Sequence, residues 1–302
     1  MTCCVAAIAN GGDAIVLVSD KMIGTSNKRG EPHGITKGEA IHKDWWALFA
    51  GDVSLAADIF IRLKAHFPDG PLSIYDARDA LSSTLFEKWQ SDTERAYLRK
   101  EGYTSETFRD EAPKKMAEEI YIEIRERRLR HSLKAEIIIA GFDEQGAAHI
   151  LSCNGFVGPD QFVPANHDSE GFSAIGSGAD GAMWMMSYRD VNRNTKRRDA
   201  AYYAVEGIYY AELGSGVGES ADLVLIRPNK KARWVGARAV DKAIIPICRK
   251  LRPGKLSKKY RRKLKRKVRG IKIYPALNGR ALSAAKSSFG DIPPRNPKTS
   301  HV

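Results

Sequence analysis

Apolar residues in this chain come in short continuous runs broken by polar turns, and these alternate with stretches of helical spacing. Residues 3–9 and 14–20, Cys-Cys-Val-Ala-Ala-Ile-Ala and Ala-Ile-Val-Leu-Val-Ser-Asp, flank Asn10-Gly11-Gly12. Small and β-branched residues around a glycine turn predict a β-hairpin. Because the runs are continuous, both faces of these strands are expected to be covered. Residues 22–34 are polar, with three glycines and one proline, and predict a loop. Residues 35–41 and 45–50 predict a second hairpin. Leu55, Ala56, Ile59, Phe60 and Leu63 then recur at helical spacing until Pro68-Asp69-Gly70-Pro71 stops them.

A second helix is expected after Ser73, with Ala77, Leu81, Leu85 and Phe86 inward. Residues 90–113 are highly charged and weakly periodic, and read as an inserted, part-helical surface segment. Residues 116–133 predict another helix, burying Ile120, Ile124 and Leu129. Strands follow at 135–142 and 148–153, joined by Asp143-Glu144-Gln145-Gly146, and at 172–176. Two helices near 179–188 and 198–213 come next, the second with Ala201, Ala204, Val205, Ile208 and Tyr209 on one side. Residues 221–227 and 232–235 predict a closing strand pair. Strand pairs alternating with helix pairs imply an α+β fold with two antiparallel sheets face to face and helices outside. Trp45-Trp46 and the Met183–Met186 cluster are expected to pack inside it.

Composition adds little until the charge is located. Apolar content of 43% and charged content of 28% are ordinary for a globular chain of 302 residues. The net charge of +13 is local: between Arg249 and Lys272 lie 14 Lys or Arg residues and no acid. The rest is close to neutral, so the basicity describes an appendage. Within it Leu256, Tyr260, Leu264 and Val268 recur every four residues, which fits a basic helix contacting a polyanion or a solvated extension. Residues 287–302, with three prolines after Gly290, are expected to be disordered. The division is residues 1–242 as one domain with a charged insert at about 90–115, and residues 243–302 as the extension. Cys3, Cys4, Cys153 and Cys248 form no metal-binding pattern, and a reducing cytoplasm is the simplest compartment. No run reaches the ~20 apolar residues of a membrane span.

The candidate chemistry sits at element ends. In order come Thr2, Ser19-Asp20, Thr36-Lys37, Ala50-Gly51 with Ala56-Ala57-Asp58, and Ile175-Gly176-Ser177-Gly178. Across residues 2–235, apart from the insert, this series resembles the β-type subunits of proteasomes, including the HslV-like bacterial proteases. That family belongs to the N-terminal nucleophile hydrolases. The resemblance implies a four-layer αββα sandwich, and a threonine nucleophile at Thr2 exposed by loss of Met1. It implies roles for Asp20 and Lys37 beside that nucleophile, Gly51 as oxyanion donor and Ser177 near the amine. A later family motif looks like Glu212-Leu213-Gly214-Ser215-Gly216 here, with Glu where the family has Asp. Ile35, Glu39, Phe49 and Val53 match substrate-pocket positions. The family further implies peptide or protein substrates, a homo-oligomeric ring, a separate ATP-dependent unfoldase and no cofactor.

The chemistry is coherent without the resemblance. A threonine hydroxyl needs a base, and a free α-amine titrating near about 7.7–8.0 lies within reach of its own side chain. A lysine held charged against Asp20 presses that amine toward its neutral, basic form. Gly51, lacking Cβ, lets substrate backbone approach an amide donor. Ser177 and Ser215 can anchor the amine by hydrogen bonds. Counted back from Asp20, however, Cys4 sits at the family spacing for the nucleophile. Thr2 fits if two extra residues lie at the hairpin tip, where they leave the register intact. Cys4 and then Cys3 remain alternative nucleophiles. Functional alternatives are a non-peptide amidohydrolase on the same scaffold, or a catalytically silent scaffold with a nucleic-acid-binding tail.

Overall fold

A computed structural model describes residues 2–21, 23–25, 28–30, 37–156, 158–159, 162–215, 220–235, 240, 242, 244 and 274–275. The strands are β1 (Cys4–Ala9), β2 (Ala14–Asp20), β3 (Ile23–Thr25), β4 (Lys28–Gly30), β5 (Gly38–Ala40), β6 (Trp45–Gly51), β7 (Ala135–Phe142), β8 (Ala148–Asn154), β9 (Ala165–Asn166), β10 (Phe172–Ile175), β11 (Ala221–Arg227), β12 (Lys230–Val235) and β13 (Tyr274–Pro275). The α-helices are α1 (Val53–His66), α2 (Ile74–Thr93), α3 (Ser105–Asp110), α4 (Ala112–Lys115), α5 (Glu118–Leu129), α6 (Ala179–Tyr188) and α7 (Arg197–Ser215). The architecture is α+β: two antiparallel sheets, ordered β10-β1-β2-β11-β12-β13 and β5-β6-β7-β8-β9, with helices and a separate β3-β4 ribbon.

Alternating side chains of β1 explain how the sheets are covered. Cys3, Val5, Ala7 and Ala9 join a cluster with Ala182 and Met186 of α6 and Ala204, Val205 and Ile208 of α7. Cys4, Ala6 and Ile8 instead meet Trp46, Leu48 and Ala50 of β6 and Ile138 and Ala140 of β7. The second sheet's other side, with Phe49, Ile137 and Ile139, packs on Ile59 and Leu63 of α1 and Leu81 and Leu85 of α2. Both faces of β1 and β2 are thus covered and every residue in them is buried, as their continuous apolarity requires.

Helix boundaries follow local chemistry. The Asp52 carboxylate accepts from the Ser54 amide at 2.9 Å to start α1, and Ser73 with Asp76 forms a capping box at the start of α2. These bonds hold the Asp52 and Asp76 carboxyls below their ordinary values.

The charged segment after α2 is part-helical, and the helix that follows it differs from the sequence expectation in what it buries. Beyond α2, residues 94–98 form a wide turn, and the helical excursion runs on through α3, α4 and α5 to Leu129. It has its own small core of Leu98, Phe108, Ala112 and Ile124. Ile120 and Leu129 are exposed at 49% and 42%, contrary to their predicted burial. The reason is that α5 presents one short apolar stripe, centred on Ile124, to that satellite core. Phe86 is also exposed, and packs laterally on Trp89 at 5.9 Å rather than inward. In α6, Met185 and Met186 are buried as expected. Trp184 is half-exposed and stacks on Tyr188 and Tyr210 at 5.4 and 5.1 Å.

His149 of β8 sits between two carboxylates, meeting Asp168 through Nδ1 and Asp143 through Nε2. Burial pushes the imidazole down, but the hydrogen bonds to Asp168 and Asp143 outweigh it, and His149 titrates above its ordinary value. Burial likewise raises both carboxyls, yet their bonds to His149 and to backbone amides leave them below the usual range. A raised histidine stabilises the fold fully below about pH 6.5 and loses that contribution as pH rises through its folded pKa. The depressed carboxyls contribute above about pH 4 and lose it as pH falls through their folded values. Burial holds His42, His131 and His167 below the ordinary histidine value, and these act in the opposite sense, so the effect of His149 is read as a difference. The stability advantage of wild type over His149→Gln is expected to shrink on going from pH 6 to pH 8, measured as denaturation midpoints.

Candidate active site

Strand β1 continues outward through Cys3 to Thr2. Pairing with β2 is unbroken from Cys4 opposite Ser19 to Ala9 opposite Ala14, and the four turn residues between lie outside it. Alternation places Thr2 on the same side as Cys4, at one end of the layer between the sheets, where it is buried.

Two side chains from different sheets converge there. Lys37, immediately before β5, donates from Nζ to Thr2 Oγ1 at 2.9 Å and to Asp20 Oδ1 at 2.7 Å. The ammonium and carboxylate side chains are 6% and 0% exposed, so this is a buried ion pair. Asp20 Oδ1 also accepts from the Cys3 amide at 2.8 Å, and the Asp20 amide donates to Cys3 O at 3.0 Å. The carboxylate therefore ties the lysine to the backbone beside Thr2.

The turn after β10 supplies the other wall. Thr2 N–H donates to Ser177 Oγ at 3.1 Å, and the Gly178 amide donates to Thr2 O at 3.2 Å. Gly176 has φ +92°, and a Cβ there would lie 2.3 Å from Thr2 O. Neither the left-handed backbone nor the backbone oxygen can give way to a methyl. Gly176→Ala should cost more than about 1 kcal/mol of stability in denaturant titration, from strain and displacement of Thr2 together.

Gly51 ends β6, opposite Ala135, with φ +142°. A Cβ there would lie 2.3 Å from Lys134 O, so this glycine is required by its own backbone. The Phe49 amide donates to Lys37 O at 2.8 Å, while the Asp52 amide donates to Lys134 O on the β7 side at 3.3 Å. Amides alternate along a strand, so Gly51 N–H points to the Lys37 side.

The cysteines sit inside the core. Cys3 and Cys4 are fully buried, and burial raises both thiols well above their ordinary value. Cys4 Sγ donates to Phe49 O at 3.6 Å. Of the positions matched to a substrate pocket, the side chains of Glu39 and Phe49 are described. Glu39 is ion-paired to Lys64, and Phe49 packs edge-on against Phe60 with 2% exposure. Ile35 lies outside the described residues, as do the side chains of Val53, Glu212 and Ser215 and the basic segment 249–272.

One group was missed. Glu136, the second residue of β7, accepts from the Gly176 amide and so reaches the Thr2 turn from the opposite sheet. A lone carboxylate in the apolar run Ala-Glu-Ile-Ile-Ile-Ala-Gly-Phe was the available signal. Among the described residues no cluster of three or more His, Cys, Asp or Glu could hold a metal ion, and no helix is long and apolar enough to cross a membrane. No protein-family model matches the chain, and a search of curated proteins finds no match.

Proposed function

We propose that the chain is a threonine-type N-terminal nucleophile hydrolase that cleaves amide bonds, with peptides as the substrate class, once the Met1–Thr2 bond is cut. The observation that carries this reading is the contact of Lys37 Nζ with both Thr2 Oγ1 and Asp20 Oδ1, with Ser177 Oγ at the Thr2 nitrogen. The sandwich arrangement of that hydrolase class belongs to the same proposal. Its support is the apolar cluster shared by the two sheets and the helices on their outer sides.

Cleavage of the Met1–Thr2 bond turns an amide nitrogen, which is no base, into an amine that is one near neutral pH. The amine, hydrogen-bonded to Ser177, takes the Oγ1 proton as Oγ1 attacks the substrate carbonyl carbon. Lys37 stabilises charge on Oγ1, and the Gly51 amide faces the side on which the carbonyl oxygen becomes negative. Collapse expels the substrate amine, which takes the proton from the Thr2 ammonium. Water then hydrolyses the ester on Thr2 by the same proton route. Burial of Cys3 and Cys4 favours Thr2 over either thiol.

Intact-mass and N-terminal peptide mass spectrometry test the first requirement. Loss of Met1 is expected, and treatment with a peptidyl β-lactone should add one acyl mass on Thr2. Quantitative retention of Met1, or acylation confined to a cysteine, would overturn the reading. A homo-oligomer is part of the proposal and is read by light scattering.

A further inference from the structure

We infer that Glu136 is a positioning residue for the Thr2 site, holding the Gly176-Ser177-Gly178 turn of one sheet against the β6–β7 edge of the other. The inference rests on the hydrolase reading above. Glu136 is the one charged residue of β7, and it pairs directly with Ala50 of β6 while its neighbour Ala135 pairs with Gly51. Cross-strand partners share a face, and Ala50, Ile138 and Ala140 all point between the sheets. The Glu136 carboxylate therefore sits in the intersheet layer at the end where Thr2 lies. It is half-buried, and among the described residues no cation pairs with it. What it accepts is the Gly176 amide.

Each link from there to the nucleophile is short. Gly176 precedes Ser177, whose Oγ accepts from Thr2 N, and Gly178, whose amide donates to Thr2 O. The amide aimed from Gly51 and the serine at the amine belong to different sheets. Lys37 ties those sheets at this end through Asp20 and Thr2, and the Cys4 thiol reaches Phe49 O; Glu136–Gly176 is a further tie, made directly to the Ser177 turn. A carboxylate accepting from a backbone amide is a stronger tie than a neutral acceptor. Its loss lets the Ser177 turn shift relative to Gly51, and a misplacement of about 1 Å costs about 100-fold in rate. The charge has a second, separable effect. A half-buried carboxylate at this end favours the protonated Thr2 amine, so removing the charge while keeping an oxygen acceptor lowers the pH at which the amine becomes a base.

The test uses the full chain as wild type, Glu136→Leu and Glu136→Gln, with fluorophore-labelled casein as substrate. Glu136→Leu is expected to lower kcat by about 100-fold with KM changed by less than about three-fold, because orientation and not binding is lost. Glu136→Gln should recover at least about ten-fold of that loss, with the acid limb of kcat/KM displaced to lower pH. Hydrogen exchange at the Gly176 amide should be faster in Glu136→Leu than in Glu136→Gln. A Glu136→Leu enzyme with kcat within three-fold of wild type, while Thr2→Ala is inactive, overturns this inference and leaves the hydrolase reading standing. Persistent hydrolysis in Thr2→Ala removes the threonine-nucleophile reading instead, and the exchange of Gly176 still reports on the tie. If Glu136→Leu does not fold, Glu136→Gln decides: an unmoved acid limb with unchanged Gly176 exchange overturns the inference.

Discussion

Thr2→Ala is expected to abolish amide hydrolysis, by at least about a thousand-fold in kcat/KM, while leaving the fold intact. The size follows from what is removed. Without Oγ1 there is no covalent step, and only substrate binding and the Gly51 amide remain to act on a bound carbonyl. The fold is expected to survive because Thr2 is held mainly by its backbone. Its amide donates to Ser177 Oγ and its carbonyl accepts from Gly178, and neither bond involves the deleted hydroxyl. Alanine is also small enough for Met1 removal, so the variant separates loss of the hydroxyl from loss of processing. Thr2→Ser should retain a substantial part of the rate, since it keeps the alcohol and the amine in one residue. Cys4→Ala should retain hydrolysis while losing some stability, because Cys4 is a buried core residue whose thiol donates to Phe49 O. Peptide hydrolysis by Thr2→Ala at the wild-type rate would move the chemistry to another residue.

Much of the fold was legible because its strands are short and uniformly apolar. The runs at 4–9, 14–20, 135–142 and 221–227 are strands with nearly every residue buried. Uniform apolarity also carries a limit, since it says that both faces are covered without saying by what. The alternation of Cys3 and Cys4 between two different clusters only becomes visible once the sheets are placed. The burial of the helix after the insert was misjudged for a related reason. Helix α5 is rich in charge, and the burial of Ile124 alone, with Ile120 and Leu129 outside, reflects packing against a satellite core. Local periodicity does not contain that tertiary choice.

The site was legible in part, and for a chemical reason. Thr2, Asp20, Lys37 and Ser177 stand at strand ends or turns, where polar residues interrupt apolar runs, and three-dimensional contact joins all four. Glu136 stood in an equally anomalous place, inside a buried strand, but its partner is a backbone amide 40 residues away, which carries no residue-type signature. The need for glycine at 51 and 176 likewise arises from backbone contacts to Lys134 and Thr2 that no sequence pattern displays.

The ion pair at the centre supplies the second large effect. Lys37→Met should destabilise the protein by about 3–5 kcal/mol and remove hydrolysis, because it strands the Asp20 carboxylate in a layer where it is 1% exposed. The Cys3 amide remains as a partner for that carboxylate at 2.8 Å, which places the stability loss nearer the lower end. Asp20→Leu alone strands the ammonium instead, with Thr2 Oγ1 left as its acceptor. The informative variant is the double one. When both charges are replaced by apolar groups of similar volume, no buried charge is left uncompensated, and stability is expected to return to within about 1–2 kcal/mol of wild type. Activity should not return, since the Thr2 hydroxyl has then lost the donor at 2.9 Å that stabilises it as it loses its proton. Stability recovered without hydrolysis would assign the pair to chemistry, because a well-packed apolar replacement serves the fold equally well. Stability and hydrolysis recovered together would mean that Lys37 acts only as a spacer between the sheets. Denaturant midpoints and casein hydrolysis measured on the same four proteins separate these outcomes.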